Sequence, residues 1–272
     1  MCDACVMEGV SRRLGRRGVM AAVAAGMATL GLSANQAGAQ AVRSAPVTRV
    51  VDLTHTLHPA FPTFGGTPAI EIEQVMAFAR DGYNVNKLTY TEHVGTHFDA
   101  PIHFSAAGAT VDALPVASLV CPLFVLDVTA KAAADPDYQA TPEDLSALEA
   151  SVGRLPAGAC LALRSGWDAH VAGPMFRNAG AGGAMRFPGF RPDLVPLLLE
   201  RGVAGVAVDT LSLDHGGSST FAFHTGWLGA GRWGVECVAG LRELPVAGAT
   251  LVAGAPKIAG GTGGPGRVVA LV

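Results

Sequence analysis

Three histidines and an aspartate fall within the eleven residues from His93 to His103, while the whole 272-residue chain has eight histidines. The stretch reads Glu92-His93-Val94-Gly95-Thr96-His97-Phe98-Asp99-Ala100-Pro101-Ile102-His103-Phe104. Imidazole and carboxylate are donors that suit zinc, manganese or iron. Their closeness lets one short segment supply several ligands without closing a long loop. Gly95 and Pro101 predict a turn here, so the four-residue spacing of His93 and His97 does not require a helix. An isolated H-x-x-x-H is a common accident on a polar loop. Asp99 and His103 beside it set this segment apart.

A metal site needs ligands from more than one segment, and two more candidates stand out. His224 lies in Phe221-Ala222-Phe223-His224, and Glu236 in Val235-Glu236-Cys237-Val238. An ionised glutamate in an apolar run is costly unless it is paired or bound to a cation. Glu236 could instead turn to water from an amphipathic strand, and His224 could be a hydrogen-bonded core histidine. Asp209 and Asp214, at the end of an apolar strand, suit either support of metal ligands or plain turn-making. Trp167 and Asp168 carry the same ambiguity, while His55 and His58, flanking Pro59, read as loop residues.

The elements that must position these groups are short. Apolar runs alternate with Gly and Pro from Val47 onward, which predicts many brief strands. They are expected at Arg49–Leu53, Asn84–Thr91, Leu123–Thr129, Cys160–Arg164, Val203–Asp209, Thr250–Ala255 and Arg267–Leu271. Two helices are expected. One is capped by Thr141 with Pro142 at its first position and Asp144 three residues past the cap. The other follows Pro192 and stops at Gly202. The pattern is that of a single mixed α/β domain rather than a bundle or a sandwich.

Composition excludes other classes. The chain is 50% hydrophobic and 15% charged with a formal charge of -3, so it is neither disordered nor a polyelectrolyte. No basic stripe interleaved with aromatics follows residue 43, and nothing points to nucleic acid. The first 39 residues differ in kind. Arg12-Arg13 and Arg16-Arg17 precede an apolar run from Val19 to Leu32, followed by Ala37-Gly38-Ala39, an A-x-A cleavage pattern. Arg16-Arg17-Gly18 resembles a twin-arginine export signal. The expectation is a cleaved signal over residues 1–39 and an exported, periplasmic or secreted domain over 40–272. The apolar run is too short to span a bilayer, so no span is expected in the mature form. Cys2 and Cys5 belong to that signal. Cys121, Cys160 and Cys237, each among apolar neighbours, are expected as buried free thiols.

The motif His93-x-Gly95-Thr96-His97-x-Asp99-x-Pro101-x-His103-Phe104 resembles the signature of the metal-dependent cyclase family, which includes bacterial kynurenine formamidase and isatin hydrolase. Asp52-Leu53-Thr54, Ser165-Gly166-Trp167-Asp168, Asp209-Thr210-Leu211-Ser212-Leu213-Asp214 and Lys257-Ile258-Ala259-Gly260-Gly261-Thr262-Gly263-Gly264-Pro265 extend the likeness over nearly all of the expected mature chain. The resemblance implies a swivelling β/β/α fold assembling as homodimers or higher homo-oligomers. It implies one or two divalent ions per chain, zinc or manganese. His93, His97 and Asp99 bind the first, and in binuclear members Asp99 bridges to a second held by His224 and Glu236. His103 is implied as the catalytic acid/base. Phe64, in Pro62-Thr63-Phe64-Gly65-Gly66, falls where formamidases carry a substrate-contacting tryptophan followed by Pro-Gly-Asp, which departs from a formylkynurenine site.

A divalent ion lowers the pKa of water bound to it from 15.7 to about 7 and polarises a carbonyl, so hydroxide on the metal attacks at neutral pH. An imidazole beside it, with a pKa near 6.5, can move the proton to the leaving atom. No G-x-S-x-G nucleophile elbow is present. The expected reaction is hydrolysis of a small amide, lactam or lactone, isatin hydrolase-like or arylformamidase-like. Export favours the cyclic compounds. The competing readings are a polyketide-type cyclase or dehydratase and a non-catalytic periplasmic metal-binding protein.

Overall fold

Residues 47–272 are described by a computed structural model, and the export signal expected over residues 1–39 lies outside them. Thirteen strands occur among these residues: β1 (Val50–Asp52), β2 (Ile70–Met76), β3 (Val85–Tyr90), β4 (His97–Asp99), β5 (Val120–Asp127), β6 (Gln139–Ala140), β7 (Cys160–Arg164), β8 (Gly189–Phe190), β9 (Gly205–Val208), β10 (Trp233–Glu236), β11 (Ala249–Gly254), β12 (Gly263–Pro265) and β13 (Arg267–Leu271). The helices are α1 (Phe78–Asp81), α2 (Thr129–Ala134), α3 (Pro142–Val152), α4 (Leu194–Glu200) and α5 (Ala222–Gly229). None of the described helices is long and apolar enough to cross a membrane.

Nine strands form one mixed sheet in the order β1-β13-β11-β5-β7-β9-β10-β4-β12. Its centre, β5 to β10, is parallel, and both flanks are antiparallel. A parallel centre is covered on both faces, which is why β7 and β9 read as unbroken apolar runs. Leu161 and Leu163 point to α3, α4 and α5, whereas Cys160 and Ala162 point to the other face. That second face is covered by the sheet itself. β12 stands at one margin and β13 one strand in from the other, yet Gly266 alone joins them, so the sheet curls until its margins approach. A side chain at Gly266 is impossible, because a Cβ would lie 2.4 Å from Gly254 O and 2.6 Å from Phe98 Cε2. The described residues thus form a single mixed α/β domain, as the alternation of strand and helix patterns indicated.

α3 starts as the sequence predicts. The Thr141 hydroxyl accepts from Asp144 N–H, and the Asp144 carboxylate accepts from Thr141 N–H at 2.8 Å, with Pro142 in the first turn. Leu145 and Leu148 face the core, each burial stabilising by roughly 2 kcal/mol. β7 and β13 have their expected bounds. Other segments differ. The run Leu123–Thr129 is cut at Asp127, and Thr129 opens α2 instead of closing the strand. β2, β4, β12 and α5 carry no such signal, and α5 holds His224; β10 is the strand weighed for Glu236, but it is buried throughout and does not turn the carboxylate to water. Cys121, Cys160 and Cys237 are free and buried, as expected.

Candidate metal centre

β4 and β10 supply the first part of the site by strand geometry alone. His97 and Asp99 are two residues apart and therefore share a face, while Phe98 between them is fully buried in the curled core. In the antiparallel β10–β4 register Glu236 lies directly opposite His97, on that same face. Gly95, at φ 67°, makes the turn into β4; a Cβ there would come within 2.9 Å of Leu57 Cδ1. His93 precedes the turn, His103 closes a short 3-10 turn begun by Pro101, and His224 sits in the first turn of α5.

The six sequence candidates converge. Ligand atoms of His97, Asp99 and Glu236 lie within 4.8 Å of one another, as do those of His93, Asp99 and His103. Asp99 is common to both groups. His224 Nε2 joins them at 3.0 Å from Glu236 Oε1 and 3.4 Å from Asp99 Oδ2. The cluster is also buried: His97, Asp99, His224 and Glu236 are each no more than 6% exposed.

Hydrogen bonds behind the rings show why the donor set fits a cation. His97 Nδ1 is 2.8 Å from Gly95 O, which can only accept, so its N–H is there and Nε2 carries a lone pair. Nε2 is buried without a hydrogen-bond partner, 3.5 Å from Asp99 Oδ1 and 3.4 Å from Glu236 Oε2. His224 Nδ1 is held by Asp214 Oδ2 at 2.6 Å, which turns its Nε2 lone pair to Glu236 and Asp99. His93 Nδ1 faces Asp99 Oδ1 at 2.8 Å. Ring nitrogens that face carboxylates in a buried site need a proton or a cation between them. A proton can fill that role. Burial by itself would lower His97, but Asp99 and Glu236 outweigh it and hold the imidazole at about 9. A divalent ion competes with such protons for the same lone pairs. Burial and the nearby Asp99 charge push Glu236 up.

His103 stacks on His93 with ring centroids 3.8 Å apart and faces a cavity over the cluster. Burial, with the neighbouring imidazoles, lowers its pKa to about 4 against the pull of Asp99. The cavity has a volume of about 280 Å³. Phe64 lines it as the sequence suggested, together with Phe104, Phe221, Leu211, Thr63 and Ser212; among the described residues no lysine or arginine lines it.

The ambiguous aspartates separate. Asp214 supports His224. Asp209 holds the loop after β7 instead, accepting N–H bonds from Ser165, Gly166 and Trp167 at 2.9, 2.8 and 3.2 Å. Trp167 donates its indole N–H to Phe176 O, and Asp168 accepts from Gly240 N–H, so both serve the fold. Sequence reasoning missed Phe221, whose φ of 49° is unusual for a bulky residue and starts α5. It also missed Glu92 and Thr262 as neighbours of His93.

A curled mixed sheet that presents imidazoles and carboxylates beneath a small cavity is the arrangement of a metal-dependent site open to a small molecule. The model of the family described as putative cyclase matches residues 51–215. An isatin hydrolase of Roseibium aggregatum is 33% identical over 241 residues, which cover 82% of this chain and 91% of that protein. Among solved structures, isatin hydrolase A from Ralstonia solanacearum is 36% identical with a TM-score of 0.77, over 82% of this chain and 92% of that one. An isatin hydrolase bound to the product analogue thioisatinate is 31% identical with a TM-score of 0.77, over 82% and 92%. The chain belongs to the cyclase family.

Proposed function

We propose that the protein opens a small, neutral, aromatic ring amide or ester, an isatin-like lactam or an aryl lactone, by hydrolysis. The observation that carries this is the cavity lining. Aromatic rings of Phe64, Phe104 and Phe221 surround it, and among the described residues no lysine or arginine enters it. An amino-acid substrate such as N-formylkynurenine would bring a carboxylate that this lining leaves unpaired, at a cost of several kcal/mol. A volume of about 280 Å³ suits a small planar molecule rather than a polyketide chain. The isatin hydrolases to which the chain is similar agree with this choice.

His93, His97 and Asp99 would hold one divalent ion, zinc or manganese, and Asp99, His224 and Glu236 would hold a second. When bound, the ion acidifies water and polarises the scissile carbonyl. His103 receives the proton that the attacking water loses as its oxygen bonds to the carbonyl carbon. His103 then gives that proton to the ring nitrogen or oxygen as the C–N or C–O bond breaks. The product is the ring-opened acid, with the proton accounted for. Gly95 O and Asp214 hold the outer nitrogens of His97 and His224 and so keep those rings aimed at the cluster, and Phe64 and Phe221 exclude water from the aromatic end. We further read Arg16-Arg17 and the apolar run after it as a twin-arginine export signal, which places hydrolysis outside the cytoplasm, and the mature protein as a homo-oligomer.

Zinc- and manganese-loaded protein assayed on isatin, an aryl lactone and N-formylkynurenine tests the reading. Turnover of one of the cyclic compounds well above that of formylkynurenine is expected. A preference for formylkynurenine overturns the substrate class. His97→Ala should lose metal and activity together, and full metal content in that variant overturns the site.

A further inference from the structure

We propose that Thr262, held by Glu92, fixes the tautomer and direction of His93, and that this is the task of the glycine-rich stretch from Gly260 to Pro265; the inference rests on His93 being a metal ligand. Thr262 is clamped on three sides. Its N–H donates to Glu92 Oε1 at 3.0 Å, its hydroxyl donates to Glu92 Oε2, and its carbonyl accepts from Ala100 N–H at 2.9 Å. A threonine hydroxyl has one hydrogen, and the carboxylate takes it. What the hydroxyl still offers is a lone pair, and His93 Nε2 lies 3.0 Å from it. Nε2 is therefore the protonated nitrogen. Nδ1, which meets Asp99 Oδ1 at 2.8 Å, is then the nitrogen from which an ion would displace any proton. Glu92 and Thr262 thus do for His93 what Gly95 O does for His97 and Asp214 for His224. They occupy the outer nitrogen so that the inner one is left to the cluster, and to an ion within it.

The glycines around Thr262 make this contact possible. β12 pairs with β4 so that Gly263 lies opposite Asp99. A Cβ on Gly263 would meet Phe98 O at 2.0 Å and His93 Cε1 at 2.9 Å, and one on Gly261 would meet Glu92 Oε1 at 2.8 Å. With a side chain at either position, Thr262 could not reach the carboxylate and the imidazole together. The stretch is a positioning device for a ligand 169 residues away in the chain.

The test compares wild type, Thr262→Val, Thr262→Ser and Glu92→Gln, reading affinity for Zn²⁺ or Mn²⁺ by chelator competition and the melting temperature of the metal-free proteins. Valine keeps the shape of threonine but cannot accept from Nε2. Thr262→Val is expected to weaken metal binding about 10–100-fold, the range for lost supports of a ligating histidine. Thr262→Ser, which keeps the hydroxyl, should bind within a few-fold of wild type. Glu92→Gln should weaken binding in the same direction, and it carries the test if Thr262→Val fails to fold. Unchanged affinity in Thr262→Val, or a serine variant no better than the valine one, overturns the inference while leaving the metal reading intact. A wild-type protein that takes up neither ion overturns the metal reading and this inference with it.

Discussion

Asp214→Asn separates support of a ligand from support of the fold, because Asp214 does both. Its Oδ1 accepts from Phe223 N–H at 2.9 Å, and its Oδ2 accepts from His224 N–H at 3.0 Å and from His224 Nδ1 at 2.6 Å. Asparagine keeps one oxygen. It gains most by turning that oxygen to the His224 side, where the two donors at 3.0 and 2.6 Å outweigh Phe223 N–H and a Ser218 hydroxyl at 3.5 Å, which keeps the His224 tautomer but leaves the amide nitrogen facing Phe223 N–H. An orphaned buried N–H costs about 1–3 kcal/mol. For a domain of this size the melting temperature should fall by about 2–4 °C for each kcal/mol. The bond to His224 Nδ1 also changes from charge-assisted to neutral, roughly halving its strength. Metal affinity should therefore fall toward the lower end of the range for such supports, about tenfold or 1.4 kcal/mol. Calorimetry of the metal-free variant reads the first effect and chelator competition the second. A lowered melting temperature with wild-type metal affinity would refute the second part and reduce Asp214 to a cap for α5.

His103→Ala should retain metal and lose roughly two to four orders of magnitude in turnover, the range for a lost acid/base; loss of metal would make His103 a ligand. Phe221→Gly should change stability little, because relief of the left-handed backbone, worth about 1–2 kcal/mol, offsets the lost ring, while KM for an aromatic substrate rises. A fall in kcat alone would count against Phe221 as a substrate-contacting wall. Glu149→Gln should cost about 1–2 kcal/mol, since Glu149 grips Arg201 at 2.6 and 2.7 Å between α3 and the end of α4 and also accepts from Leu155 N–H. The Arg201 guanidinium lowers the Glu149 pKa below its ordinary 4.5, so this contribution is present above pH 4.5 and is lost as pH falls through the lowered value. Wild type and variant should converge in urea midpoint at low pH, and a constant gap between them would refute that assignment.

The parts of the fold that sequence made legible are those whose signals are local. The start of α3 is readable because Thr141, Pro142 and Asp144 are adjacent and satisfy one another. β7 is readable because burial on both faces leaves a plain apolar run. α5 is not, because its cap comes from elsewhere. Phe221 is no capping residue, and the N–H groups of Phe223 and His224 are taken by Asp214, nine and ten residues earlier in the chain. The same carboxylate binds the His224 ring, so the interaction that builds the helix start also aims the ligand. The histidine segment betrayed the site by its density, but its register could not be read. Only the pairing of β4 with β10 puts Glu236 opposite His97, and only the pairing of β12 with β4 brings Thr262 beside His93. In both cases the backbone hydrogen bonds of a three- or four-residue strand set the position of a polar side chain, and strands that short carry too little periodicity to announce themselves. Glu236 is costly in an apolar run unless β10 delivers it to a cation. The expense of burying it, visible in the sequence, and the register that justifies it, visible only in the sheet, are therefore two sides of one constraint.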